Sequence, residues 1–343
     1  MNKKVITFGE IMLRLATPTY QRFSQANTFD ATYGGGEFNV SVSLAKFGIP
    51  SGYVTRLPDN DIGKSCKQTI NGFGVDTSHI IYGGERLGIY YLETGAVVRG
   101  SKVVYDRAYS AFTSIKKGMI DWDEVFQDAT WFHWTGITPA ISFGATEVLE
   151  EALIKANEMG IMVSCDVNYR SKLWKNGNKA EKVMPRLIAR TNVLVGNEFD
   201  AEKVLGVQSN LPSNGEYSKF TFELVSKQLM YKYPRLEKVI TTRRGTINAN
   251  HNTWVGILYD GMKVVESTTY EITHIVDRVG GGDALMAGLI YGFLNFPEEN
   301  QRVIDFAIAA SFIKHTVMGD ANAASVSDVE RLMKGESKGR IDW

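Results

Sequence analysis

Ile275-Val276-Asp277-Arg278-Val279-Gly280-Gly281-Gly282-Asp283 runs without a break into Ala284-Leu285-Met286-Ala287-Gly288-Leu289-Ile290-Tyr291-Gly292-Phe293-Leu294. The second part carries no charge and predicts a helix buried on every side. The glycine triplet opens it. Without Cβ atoms, three successive residues can turn their N–H groups toward one point. Those groups sit at the positive end of the helix dipole and make a site for an anion. Asp283 stands at the same end, where the dipole favours its ionised form. One loop thus offers amides for a developing negative charge and a carboxylate to accept a proton. Moving a phosphoryl group onto an alcohol needs both. Taken alone, the same residues serve equally well as a glycine-rich helix start with Asp283 as an ordinary cap.

Upstream of this helix, short β-rich runs recur at 5–8, 52–55, 131–134, 161–167, 193–195, 238–242 and 254–258. Several are continuous and apolar, as expected of strands covered on both faces. Helix-period segments lie between them at 37–47, 145–159, 180–189 and 217–231. The first two end at Gly48 and Gly160, where a helix C-cap favours positive φ. Strands alternating with helices predict a doubly wound, mostly parallel α/β sheet. Two regions break the alternation. Residues 11–17 alternate branched apolar residues with Met12, Arg14 and Ala16, and 88–93 and 102–107 form a pair of short strands around Gly95 and Gly100. These predict a small antiparallel β lid, with 11–34 and 86–114 inserted in a major domain of 1–10, 35–85 and 115–343. An edge extension of the main sheet is the plainer alternative.

A second glycine stretch, Tyr33-Gly34-Gly35-Gly36-Glu37-Phe38-Asn39-Val40, also opens a helix. Its glycines allow close backbone approach, and Glu37 and Asn39 can hydrogen-bond polyol hydroxyls. Two other patterns mislead. Gly63-Lys64-Ser65 resembles the end of a P-loop, but Pro58 stands where that motif's first glycine would fall. Both glycine triplets begin like a dinucleotide fingerprint, yet Asn39 and Leu285 replace its third glycine.

Composition removes other classes. Lys and Arg number 38, and so do Asp and Glu, so the chain has neither a basic face for nucleic acid nor one for acidic lipid. Two cysteines do not make a disulfide scaffold and fit a reducing, cytoplasmic setting. Five scattered histidines and no C-x-x-C argue against zinc, and no residue set reads as a protein-only metal site. No apolar run is long enough to span a membrane.

The two glycine stretches together resemble the paired signatures of the PfkB, or ribokinase-like, carbohydrate kinases, over nearly the whole chain. Finer features are similar to the 2-keto-3-deoxygluconate kinases among them: Gly9-Glu10-Ile11-Met12-Leu13-Arg14-Leu15, Gly88-Ile89-Tyr90, Tyr105-Asp106-Arg107, Asp166-Val167-Asn168-Tyr169-Arg170 and Gly319-Asp320. The resemblance implies a ribokinase-like fold and transfer of the ATP γ-phosphate to the terminal hydroxyl of 2-keto-3-deoxygluconate. It implies Asp283 as base with Gly280, Gly281 and Gly282 as anion hole. Gly35, Gly36, Asn39, Tyr90, Tyr105, Arg107, Arg170 and Asp320 would meet the sugar acid. Asn168, Asn197, Arg243, Gly245, Gly280 and Gly282 would lie on the nucleotide side. Mg2+ would accompany ATP, some members use a monovalent cation such as K+, and the lid often joins two copies. Fructose and 5-keto-2-deoxygluconate are the alternative substrates. Only a sugar acid presents a carboxylate, which calls for a guanidinium once removed from water. Arg107 and Arg170 are the candidates, although Arg170 could instead face the phosphates and either could be a surface ion pair. The chain departs from the pattern at Gly281, where Ala is usual, at Arg278, at Asp200 in place of a Glu, and at Asn248.

Overall fold

The computed structural model describes residues 3–174, 179–208 and 218–336. A nine-stranded sheet forms its centre. From one edge the strands run Val264–Glu266, Asn252–Tyr259, Lys238–Thr246, Val193–Val195, Met162–Asp166, Ala129–Thr135, Lys4–Phe8 and Ser51–Val54, with Tyr270–Ile272 also pairing Asn252–Tyr259. The strands from Lys238–Thr246 to Ser51–Val54 are all parallel, and Asn252–Tyr259 reverses direction. The central parallel strands are mostly apolar because both of their faces are covered, as in Val193–Val195 and in Ala129–Thr135 apart from His133 and the threonines. On one face Phe132, Trp134, Val163 and Cys165 pack against helices Phe143–Glu158, Ala180–Ile188 and Lys219–Lys232. On the other, Val5, Trp131 and Ile240 meet helices Gly36–Lys46, Gly281–Asn295 and Asn300–Lys314. Gly48 and Gly160 adopt φ of 76° and 70°, as the C-cap reading expects. Tyr217, the predicted start of one helix, lies outside the described residues; that helix runs Lys219–Lys232.

The charge-free stretch is a helix over Gly281–Asn295, buried continuously from Ala284 to Ile290. Its partner is helix Asn300–Lys314, which the sequence reading did not single out. A Cβ on Gly288 would lie 2.6 Å from the Cα of Ala307, and one on Gly292 would lie 2.9 Å from Val303. Those glycines let the two helix backbones approach closely. Gly63, the false P-loop glycine, sits inside helix Asp61–Gly72, whose N-cap Asn60 accepts its N–H.

The second sheet has four strands, in the order Asp30–Gly34, Met12–Ala16, Gly88–Glu93 and Lys102–Asp106. Its outer pairs are antiparallel, as predicted, but the central pair Met12–Ala16 with Gly88–Glu93 is parallel. Asp30–Gly34 is a strand the sequence did not announce. The chain leaves this sheet by Ser110, because Phe112 and Ile115 already pack in the main core, with the Phe112 ring 5.4 Å from Phe8. Among the described residues, no helix is long and apolar enough to cross a membrane.

Candidate active site

A cleft of about 640 Å3 opens where the carboxyl ends of the parallel strands meet the small sheet. Its floor is the late glycine loop. Gly280 is left-handed, with φ of 84°, and a Cβ there would lie 1.9 Å from the carbonyl oxygen of Asp320. Only glycine fits. Gly281 is explained by its neighbour: a Cβ would stand 2.7 Å from Cε1 of His315. That ring is held by Nδ1 donating to the Ser311 carbonyl at 2.7 Å, while Ser311 Oγ donates to the Gly281 carbonyl at 2.7 Å. Gly281 therefore accompanies a histidine that fills the space of the usual alanine methyl. Gly282 is open to the cleft.

Asp283 follows in the first helical turn, partly exposed at the cleft floor. Burial pushes its carboxyl up to about 7; Asn39 opposes this, and Asp166, Asp320 and Glu37 add to it. A carboxyl poised there is ionised in a useful fraction of molecules at neutral pH and still basic enough to accept a proton.

The early glycine stretch brings Asn39 to this carboxyl. Asn39 Nδ2 donates to Asp283 Oδ2 at 2.6 Å, while its buried Oδ1 has no protein partner. A cleft-lining amide oxygen so placed is ready to accept from a ligand hydroxyl. Gly35 is required sterically, since a Cβ would lie 2.3 Å from the Glu10 carbonyl oxygen, and Gly36 lies beside Asp283. Glu37 does not face the cleft, contrary to the sequence reading. It is buried and accepts from the Thr135 amide and from the Thr135 and Thr138 hydroxyls, tying the helix start to the end of strand Ala129–Thr135.

Behind the cleft lies a charged layer. Arg14 is 2% exposed and pairs with both Asp277 and Asp320. Asp320 also accepts from the Tyr90 hydroxyl, and Asp277 accepts the amides of Val279 and Gly319. Tyr90 and Asp320 line the cleft, and Tyr105 stands 6.1 Å from the Tyr90 ring. Arg107 does not line it. Its guanidinium pairs with Glu10, which Ser110 also holds, and lies 5.6 Å from the Tyr105 ring centre. Arg170 lines the cleft and is exposed to it.

Asp166 and Asp200 line the side beyond Gly282. Burial raises both carboxyls, Asp166 to about 7 with Asp200 adding to the effect, and Arg170 draws both down. Asn168 adopts φ of 38°, which returns its amide and side chain to Asp166. Asn197 caps helix Glu198–Lys203 in a capping box with Asp200. The shorter Asp200 is thus committed to the Asn197 amide, at 3.0 Å. Arg243 and Gly245 do not reach the cleft: Arg243 pairs with Glu266, and Gly245 packs on Thr253. Strand alternation puts Arg244 there instead, 4.7 Å over the Trp254 ring. Arg278 also lines the cleft and donates to the Ala249 carbonyl. The tip of the hairpin between Gly88–Glu93 and Lys102–Asp106 reaches cleft-lining residues 249–250: the Val97 carbonyl accepts from the Ala249 amide and its N–H donates to Asn250 Oδ1, both at 2.8 Å.

Sequence reasoning therefore brought Asp283, the late glycines, Gly35, Gly36, Asn39, Tyr90, Tyr105, Arg170, Asp320, Asn168 and Asn197 to one cleft. It did not single out Asp166 and Arg244, which line the cleft, nor Arg14 and His315, which pack behind it. For Arg14 a signal existed: it shares the inward alternation of Met12 and Ala16.

The fold and the site define a sugar kinase of the ribokinase-like class. The family model for pfkB family carbohydrate kinases matches residues 2–326, and the chain belongs to that family. It is similar to a solved 2-dehydro-3-deoxygluconokinase of Thermotoga maritima, at 43% identity and a TM-score of 0.92 over 97% of this chain and 100% of that one. It is 30% identical to a 2-dehydro-3-deoxygalactonokinase of Haloferax volcanii over 99% of each chain. A 5-dehydro-2-deoxygluconokinase of Geobacillus thermodenitrificans is 24% identical over 84% of this chain and 81% of its own length.

Proposed function

We propose that this chain transfers the γ-phosphoryl group of ATP to the terminal hydroxyl of 2-keto-3-deoxygluconate. The observation that carries the reading is the Asp283 carboxylate, poised near neutrality beside a glycine-opened helix and hydrogen-bonded to Asn39. Asp283 takes the hydroxyl proton while that oxygen bonds to phosphorus, the bond from phosphorus to the bridging β-phosphate oxygen breaks, and ADP departs. The helix start at Gly282, open to the cleft, faces the charge that spreads over the transferring group, while the Gly281 amide donates to the Arg278 carbonyl at 3.4 Å. Asn39 Oδ1 accepts from a sugar hydroxyl, and the four-stranded sheet built from segments 12–34 and 88–106 acts as a lid over it. Relatives with this substrate class support the choice, and so does a cleft that offers Arg170 to a carboxylate. Arg107 reaches a ligand only by giving up Glu10.

Kinases of the family use ATP and Mg2+. Asp166 and Asp200 suit the ion: both carboxyls are raised by burial, a state that a nearby divalent cation relieves. No group of three or more potential ligands forms a metal site among the described residues, so triphosphate oxygens and water would complete its shell. Bound Mg2+ would neutralise phosphate charge. The K+ implied for some members has a rival in this chain. The Lys314 amine already donates to the carbonyls of Asp277 and Val317 at the foot of the glycine loop.

A homo-oligomer through the lid is part of the same proposal. Strand Lys102–Asp106 is an edge strand exposed on both faces, with Val103, Val104 and Tyr105 open, and such edges favour pairing. Light scattering of Val104→Asp against the unaltered chain tests it. The buried free cysteines Cys66 and Cys165 fit a cytoplasmic enzyme.

The deciding experiment is ADP release over a panel: 2-keto-3-deoxygluconate, its C4 epimer 2-keto-3-deoxygalactonate, 5-keto-2-deoxygluconate and fructose. Faster turnover of any other member overturns the substrate assignment. Arg170→Met should lower efficiency toward the keto acid roughly 10–100-fold, the worth of a charge-assisted hydrogen bond. An equal loss on fructose would move Arg170 to the phosphates.

A further inference from the structure

Lys314 ends helix Asn300–Lys314 with no exposed surface. A buried ammonium needs acceptors and counter-charge. Its Nζ donates to the Val317 carbonyl at 3.1 Å and to the Asp277 carbonyl at 3.4 Å. Asp277 begins the segment that turns into the glycine loop. A Cβ on Gly280 would lie 3.2 Å from Lys314 Cε, so the lysine stem runs directly under that glycine. The ionisable groups around the amine are Asp277, Asp320, Asp283, Arg14 and His315. Within the buried cluster of Asp277, Asp320 and Arg14, Asp283 at the cleft floor not counted, one negative charge is left over, and a protonated Lys314 cancels it. Burial lowers the amine's pKa, while Asp277 and Asp320 oppose the loss of its proton.

Building on the phosphoryl-transfer reading, we propose that Lys314 is a built-in monovalent cation and a positioning residue. Its ammonium fixes the carbonyls of Asp277 and Val317, and thereby the direction of the glycine amides, and it adds positive charge beneath the transferring phosphoryl group. A K+ ion at the same place would need those carbonyl oxygens, which the amine already engages. The chain should therefore work without K+.

The test begins with the unaltered enzyme and needs no substitution. Turnover is measured at constant ionic strength in KCl, NaCl and tetramethylammonium chloride. The expected result is agreement within about twofold; a large stimulation by K+ overturns the proposal. Absence of turnover with any sugar or salt refutes the kinase reading instead, so the two failures are distinct. Lys314→Ala is then compared by circular dichroism, melting and kinetics. It should keep KM within a few-fold but lose roughly 10–100-fold in kcat, the range for partners that orient a charged site. Methylammonium or K+ should restore part of that kcat and raise the melting temperature of the variant, with neither effect on the parent. Lys314→Arg, which keeps the charge, should retain more kcat than Lys314→Ala. A folded Lys314→Ala protein with unchanged kcat would overturn the assignment.

Discussion

Asp283→Asn should make the protein more stable at pH 8 while removing its activity. Burial raises the Asp283 carboxyl from an ordinary 3.8 to about 7. An acid with a raised native pKa binds its proton more tightly folded than unfolded. Its stabilising contribution is therefore full below the unfolded pKa and is lost as pH rises through about 7. At pH 8 the native protein holds a carboxylate its surroundings disfavour. Taken at face value the shift corresponds to about 4 kcal/mol, and water in the cleft cuts this to on the order of 1–2 kcal/mol. Asparagine keeps the shape and can still accept from Asn39, without the charge. The variant should melt a few degrees above the parent at pH 8, and the two should coincide near pH 4. In the same samples ADP release should fall at least ~10²-fold, and the parent's efficiency should drop about tenfold per pH unit below about 7. Equal melting temperatures at pH 8, or near-normal turnover, would refute the reasoning.

Gly281→Ala should destabilise by about 1–3 kcal/mol, because the methyl meets the His315 ring. Urea unfolding measures this, and adding His315→Ser should recover part of the loss; a neutral single variant removes the steric account. Arg14→Met should cost about 3–5 kcal/mol, since it strips the guanidinium from Asp277 and Asp320. Unfolding at pH 7 checks it, and a loss below 1 kcal/mol would mean that the two carboxylates find other partners.

Much of the parallel sheet could be read directly because its strands are covered on both faces and so carry mostly apolar runs such as those around Trp131 and Val163, interrupted only by the buried His133 and Ser164. Helix ends were marked by Gly48 and Gly160, whose positive φ is a local backbone property. Asp30–Gly34 escaped notice because Asp, Ala and Gly carry little strand preference, leaving only Thr32 and Tyr33 to signal it, and most of the strand is exposed. In the site, loop chemistry was legible where the motif is contiguous, from Asp277 to Asp283. What could not be read was commitment. Glu37, Arg107 and Arg243 looked available until Thr135, Glu10 and Glu266 were seen to hold them. Nor does one-dimensional order reveal that residues 14, 277, 314 and 320 share one buried charge balance.

The contact between Val97 and residues 249–250 also bears on the pace of the reaction. The hairpin tip is fastened to the far rim by two hydrogen bonds. Each is worth about 1 kcal/mol net, so releasing the tip costs on the order of 2 kcal/mol, which leaves the door ajar roughly 3% of the time. In the proposed lid role, ligands would come and go by a brief local fraying, with the rest of the small sheet still seated.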